Sequence, residues 1–300
     1  MDSRTAVPPL RTLLCLAALT VPVALPATPS SAQEAGEVQT VQGWNVRYPI
    51  PSGWALVRAE GRVRVFQDPT RSATLIAAPG VSATPAEIQN ELVALAGALG
   101  LQGTPSTDLH ATTVSGRPVI AGEYDLVSPS TGQRVAGRSL TLQGGDGTSF
   151  GMVVLTSPER FAAIRDEVDR LVGAVEIGAP TLDAAAVAAL AGRWTFYSGN
   201  SSPSIAGSGS WAHSYEETVA FDGVGSFEFT SSSSVGASSA RTNEGSWSDV
   251  SSIGGGNAQG TYTVIGNTIV ITTPQGRAAY EYALRGGALV AGGKTYIRGS

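Results

Sequence analysis

A chain of 300 residues with 19 basic against 24 acidic side chains, one cysteine and two histidines excludes several chemistries before any motif is sought. A formal charge of −5 argues against nucleic acid or an anionic membrane surface as partner. One cysteine permits no internal disulfide, and two separated histidines give no metal-ligand set, so packed cores must supply stability and neither metal nor cofactor is expected.

Residues 1–32 hold Arg4, Arg11, an apolar run from Leu13 to Leu25 interrupted by Pro22, and the small residues Ser30-Ser31-Ala32. This is the pattern of a cleaved export signal, which implies a secreted or periplasmic mature chain. The run is shorter than the ~20 residues of a spanning helix, so no integral membrane segment is expected after its removal. Cys15 stands early in the run, between Leu14 and Leu16, which argues against a lipid-modified cysteine.

From residue 41 to 178 short apolar runs alternate with two helical patterns. Strands are expected at 44–48, 55–59, 62–67, 72–78, 108–114, 118–127, 134–142 and 148–155. The first helix opens at Thr84-Pro85-Ala86-Glu87, a capping box with proline at the first helical position, and aligns Ile88, Leu92, Leu95 and Leu99. The second opens at Ser157-Pro158 and aligns Phe161, Ile164, Val168 and Leu171. Both stripes call for an antiparallel sheet beneath them. Gly144-Gly145-Asp146-Gly147 joins two strands with no helix following, so it reads as a hairpin turn and not as a phosphate cradle. His110 on a strand is the only candidate proton shuttle in this half.

This layout, with the Pro-x-Gly-Trp turn at Pro51–Trp54 and a last helix followed by Ala174-Val175-Glu176-Ile177, resembles the PsbP-like α/β sandwich. The resemblance implies a non-enzymatic accessory or binding domain and brings no catalytic residues with it.

Past Gly178-Ala179-Pro180 the composition changes: six of eight tyrosines and three of five tryptophans lie beyond residue 190. A short helix with Asp183 near its start and Val187 and Leu190 on one side leads into Gly192-Arg193-Trp194. From there to 300 eight strands are expected: 193–198, 214–221, 226–231, 245–250, 260–265, 268–272, 278–284 and 294–298. Alternation puts Tyr215, Glu217, Val219, Phe221, Phe227, Phe229, Tyr262, Val264, Ile269, Ile271, Tyr280, Tyr282 and Leu284 on one face. Glu216, Thr218, Glu228, Thr261, Thr263 and Glu281 fall on the other, water-facing one. One-sided burial over consecutive antiparallel strands implies a closed up-and-down barrel. The chain is therefore α+β, with an α/β domain at 41–178 and an all-β barrel domain at 181–300. Strand alternation sets the long Gly/Ser loops 199–214 and 232–244 at one mouth, and the turns 222–225 and 273–276 at the opposite end.

Gly192-Arg193-Trp194 resembles the Gly-x-Trp motif of the lipocalin-like (calycin) barrels. The resemblance implies that Trp194 closes one end of the barrel under an arginine from the last strand. Arg298 stands where that arginine would be. The match covers about residues 182–300 and lacks the disulfides and C-terminal helix common in that family.

Two classes of function follow. As a binding protein, the barrel would hold a small apolar ligand near its mouth with Tyr215, Glu217, Phe229, Trp247 and Tyr282, Glu217 being the polar anchor. As an envelope scaffold or interaction module, another envelope protein would be the partner, because eight strands enclose a space side chains alone can fill. An enzyme is not expected. Adjacent Glu216 and Glu217 point to opposite faces and cannot flank one bond, and His213 has neither a nucleophile elbow nor an acidic partner.

Overall fold

The computed structural model describes residues 37–202, 210–238 and 249–299. The expected export segment 1–32, with Cys15, and the barrel candidate Trp247 lie outside these residues.

The N-terminal lobe is built on two sheets. Strands β1 (Val38–Val41) and β2 (Val46–Pro49) form a hairpin that β10 (Glu176–Ile177) extends into a three-stranded sheet. The hairpin reverses through Gly43 and Asn45 at φ +80° and +50°, the left-handed region glycine and asparagine tolerate best. Strands β3 (Ala55–Glu60), β4 (Val63–Gln67), β5 (Ala73–Gly80), β6 (Gln102–Val114), β7 (Arg117–Val127), β8 (Arg134–Gln143) and β9 (Ser149–Thr156) form a seven-stranded antiparallel sheet. Its order is β3-β4-β5-β9-β8-β7-β6.

Helix α1 (Pro85–Ala98) starts at Thr84, whose hydroxyl accepts from Glu87 N while the Glu87 carboxylate reaches back to Thr84 N at 3.0 Å. Helix α2 (Phe161–Val172), entered through a 3₁₀ turn at Pro158–Arg160, buries Ile164, Val168 and Val172. Those side chains share a core with Val46 and Tyr48 of β2 and with Phe66, Leu75, Leu140 and Phe150 of the large sheet.

Strands β11 (Gly192–Ser202), β12 (Ser210–Phe221), β13 (Ser226–Ser238), β14 (Asp249–Ile265), β15 (Thr268–Thr273), β16 (Gly276–Arg285), β17 (Ala288–Ala291) and β18 (Lys294–Arg298) make a closed barrel in sequential order. Closure comes from β11 pairing with β18 at Trp194–Arg298 and Thr195–Ile297.

Eight strands are present, but two differ from the sequence expectation. Residues 251–259, which carry three consecutive glycines and read as a loop, continue β14 because β13 bonds to them along its whole length. Residues 288–291, too short between two glycine pairs to register as a strand, are β17. This recount moves the 274–275 turn to the mouth, beside the long connections. The turns 222–225, 266–267 and 286–287 lie at the other end.

The outer face of β14–β16 does not face water. Ile265, Val270 and Ala279 are buried in the N-terminal core, and Glu281 accepts from Arg62 N at 3.0 Å. The intervening chain is stitched to the same place: Thr181 N donates to Gly43 O and Asp183 N to Val264 O.

Candidate functional site

Because successive strands run in opposite directions, each inward side chain can be placed along the barrel axis. At the end where β11 begins, helix α3 (Ala184–Ala189) lies across the opening, capped by Asp183. The Leu190 that follows is completely buried. Trp194 Nε1 donates to Leu190 O at 2.8 Å, and Tyr262 Oη donates to Val187 O at 2.9 Å. Helix and barrel are thus tied at their polar atoms as well as packed. Above them Val219, Phe221, Phe227, Tyr262, Val264, Ile269 and Leu289 fill the interior. The Phe221 and Tyr262 rings lie 4.6 Å apart. Arg298 Cζ stands 5.2 Å from the Trp194 ring, and its guanidinium donates to Ala191 O. Gly192, at φ +126°, gives that arginine room, since a Cβ there would lie 3.2 Å from Arg298 Nε. This end is closed by the chain itself.

The interior changes character one layer higher. Glu217, on β12 and only 6% exposed, accepts from Lys294 Nζ at 2.6 Å, from Tyr296 Oη at 2.9 Å and from Tyr215 Oη. Lys294 and Tyr296 come from β18 and reach across β11. The ammonium also lies over the rings of Phe196 and Tyr215, at 5.1 and 5.2 Å from their centroids. A buried carboxylate is expensive to desolvate, and here three donors, one of them a cation, offset that cost. Burial first and the Glu217 charge second hold the phenols of Tyr215 and Tyr296 protonated well past their ordinary range. The same two causes push Tyr280 up to about 12. Tyr280 rests against the β17–β18 turn, where a Cβ on Gly292 would touch its ring at 3.5 Å.

The structure brings two of the five ligand candidates together, Tyr215 and Glu217. Phe229 and Tyr282 instead pack against the apolar cluster, and Tyr282 lies toward the closed end, its N–H bonded to Asn267 O in the 266–267 turn. The recounted strand reverses the direction of β16, so Tyr280 takes the mouth side and Tyr282 the base. The sequence reading omitted Phe196, Lys294 and Tyr296 from the site. Their alternation was legible, since residues 194, 196, 294, 296 and 298 share the inward parity of Trp194 and Arg298.

Among the described residues no group of three or more histidine, cysteine, aspartate or glutamate side chains is placed to hold a metal. In the N-terminal lobe a cleft of about 430 Å³ lies between β6, β7, β8 and α2. His110 on its wall bonds the carbonyl of Asp108 two residues away. Arg138 on its floor is held by Asp169 at 2.9 Å through two parallel bonds and by Glu123 at 2.8 Å. His213 lies on β12, its backbone opposite Asn200 and Val235.

Fold and site together define an α+β protein with N-terminal sheets and a C-terminal closed eight-stranded barrel that has an apolar base and a polar mouth. No family model and no curated protein sequence matches the chain. Among solved structures it is similar to the cyanobacterial PsbP of Synechocystis sp. PCC 6803, at 14% identity and a TM-score of 0.37, over 51% of this chain and 98% of that one. It is also similar to a protein of Bacteroides thetaiotaomicron VPI-5482, at 11% identity and a TM-score of 0.36, over 49% of this chain and 50% of that one. LpqN, involved in cell envelope biogenesis of Mycobacterium tuberculosis, gives 18% identity and a TM-score of 0.29, over 49% of this chain and 87% of that one. Among the described residues no helix is long and apolar enough to cross a membrane.

Proposed function

We propose that this is an exported, non-catalytic binding protein that seats a small molecule at the barrel mouth, on the layer formed by Phe196, Tyr215, Glu217, Lys294 and Tyr296. The supporting observation is the buried Glu217 with its three donors. An interior serving only the fold is at least as stable when filled by apolar side chains, as the base of this same barrel is. The base leaves no comparable role for a ligand, because Trp194, Phe221, Phe227 and Tyr262 already occupy it. On this reading the lipocalin-like part of the chain keeps the family's closed end and uses only the open one. The N-terminal lobe, proposed as a domain of its own at 41–178, acts as a platform against the outer face of β14–β16.

Native mass spectrometry of the exported protein tests this reading. A co-purified small molecule that is lost in Glu217→Gln supports it, whereas a bare mass together with no binding by that layer contradicts it. A scaffold role is the second reading. It is favoured by the exposed pair Tyr197 and Ile297, 67% and 70% exposed on the outer face of β11 and β18.

A further inference from the structure

Taking the mouth as the site proposed above, we infer that its ligand is a neutral, hydroxyl-bearing molecule of the polyol or sugar class, held between the orphaned Tyr280 hydroxyl and the Glu217 carboxylate. Five buried side-chain polar atoms lack a hydrogen-bond partner among the described residues: Trp44 Nε1, Tyr48 Oη, Thr148 Oγ1, Thr268 Oγ1 and Tyr280 Oη. Trp44 and Tyr48 lie in the N-terminal core, and Thr268 has the outward parity of Val270. Tyr280 alone belongs to the barrel interior, on the mouth side and within the field of Glu217.

The groups around it define what they would accept. Glu217 and Lys294 form one contact pair, so the layer carries no net charge to favour an anion or a cation. Among the described residues Glu217 Oε1 receives two donors, while Oε2 receives only Tyr296 and retains room for one more. Lys294 spends one of its three N–H groups on the carboxylate. The site thus presents an unpaired phenol O–H, an open carboxylate lone pair and spare ammonium donors. An alcohol satisfies both kinds at once, donating to Glu217 Oε2 while accepting from Tyr280 Oη. A purely apolar ligand would leave the phenol unpaired, and a carboxylate or phosphate would face Glu217. The inner faces beside this layer carry small and hydroxyl residues: Ser231 on β13 stands opposite Glu217 and Gly256 on β14 stands opposite Ser231, while one step toward the mouth Ser198 on β11 stands opposite Tyr215. A hydroxylated ligand fits that lining better than an alkyl chain does.

The test is calorimetric titration of the full exported chain with three probes, myo-inositol, inorganic phosphate and laurate, against wild type and Tyr280→Phe. The expected result is binding of myo-inositol that weakens about tenfold in Tyr280→Phe, the loss of one hydrogen bond in a desolvated site. Neither other probe is expected to bind the mouth. Without ligand, Tyr280→Phe should unfold at an unchanged or higher temperature, because it removes an unpaired buried hydroxyl. Laurate binding that Phe196→Ala weakens and Tyr280→Phe leaves unchanged overturns the ligand class while sparing the mouth as a site. Phosphate binding abolished by Lys294→Met overturns the class in the same way. Absence of binding by all three, with a bare native mass, overturns both proposals.

Discussion

The two ends of the barrel are made by the same strands and carry opposite chemistry. At the base β11, β12 and β18 contribute Trp194, Val219, Phe221 and Arg298; two residues further along they contribute Phe196, Glu217 and Tyr296. At the base the side-chain polar atoms of Trp194 and Tyr262 are each paired with a backbone carbonyl of the α3 segment, and the rest is apolar packing. At the mouth a buried carboxylate accepts from two tyrosines and the chain's single lysine. A barrel needs only one closed end to be stable, which leaves the other free to carry groups that stability alone does not require.

Substitutions at the base should therefore cost more than substitutions at the mouth. Trp194→Ala removes the largest side chain of the base together with its bond to Leu190, and should lower unfolding stability by about 3–5 kcal/mol in denaturant titration. A loss below about 1 kcal/mol would mean that the base is not a packed core.

At the mouth, Lys294→Met should cost about 1–2 kcal/mol, because it strips the cation from a buried carboxylate that still has two tyrosine donors. Adding Glu217→Leu to that variant should recover part of the loss, as expected when a buried pair is replaced whole. If the double variant is worse than either single one, the pair contributes net stability, and the contrast between the two ends weakens.

The Arg298–Trp194 contact is expected to be weaker still. A double-mutant cycle of Arg298→Ala with Trp194→Phe should give a coupling of about 0.5–1 kcal/mol, the range for an exposed cation over an aromatic ring. Additive losses would show that the arginine acts through its bond to Ala191 O and not through the ring.

Alkaline titration bears most on the mouth, although burial also raises the phenols of Tyr262 and Tyr282 toward the base. The mouth phenols of Tyr215, Tyr280 and Tyr296 have raised folded values, so their neutral forms favour the fold. That contribution is complete below the ordinary tyrosine value near 10 and is lost as pH climbs through it toward about 12. Thermal unfolding followed from pH 9 to pH 12 should show the temperature falling over that window, with a smaller fall in Tyr296→Phe.

Much of this contrast was legible in the sequence. Gly192, Trp194 and Arg298 announce the closed end through position and residue type, and alternation of Tyr215 to Phe221 assigns the inward face of β12. What escaped was longer in range. The Gly254-Gly255-Gly256 stretch has poor intrinsic strand preference and becomes strand only because β13 pairs with it. That single missed continuation reversed the direction of β16 and exchanged Tyr280 for Tyr282. Nothing local ties Lys294 to the site, because its carboxylate partner stands 77 positions earlier. The outer face of β14–β16 looked solvated because Thr and Glu alternate there, and nothing local reveals that Arg62 and the N-terminal core cover it.

The measurement that bears most directly on a filled base and a reading mouth is aromatic-region NMR of the protein during titration with myo-inositol. The account predicts shifts at Phe196, Tyr215, Tyr280 and Tyr296, with Trp194, Phe221 and Tyr262 unmoved. Shifts centred on Trp194, Phe221 and Tyr262 would place the ligand inside the base and contradict it.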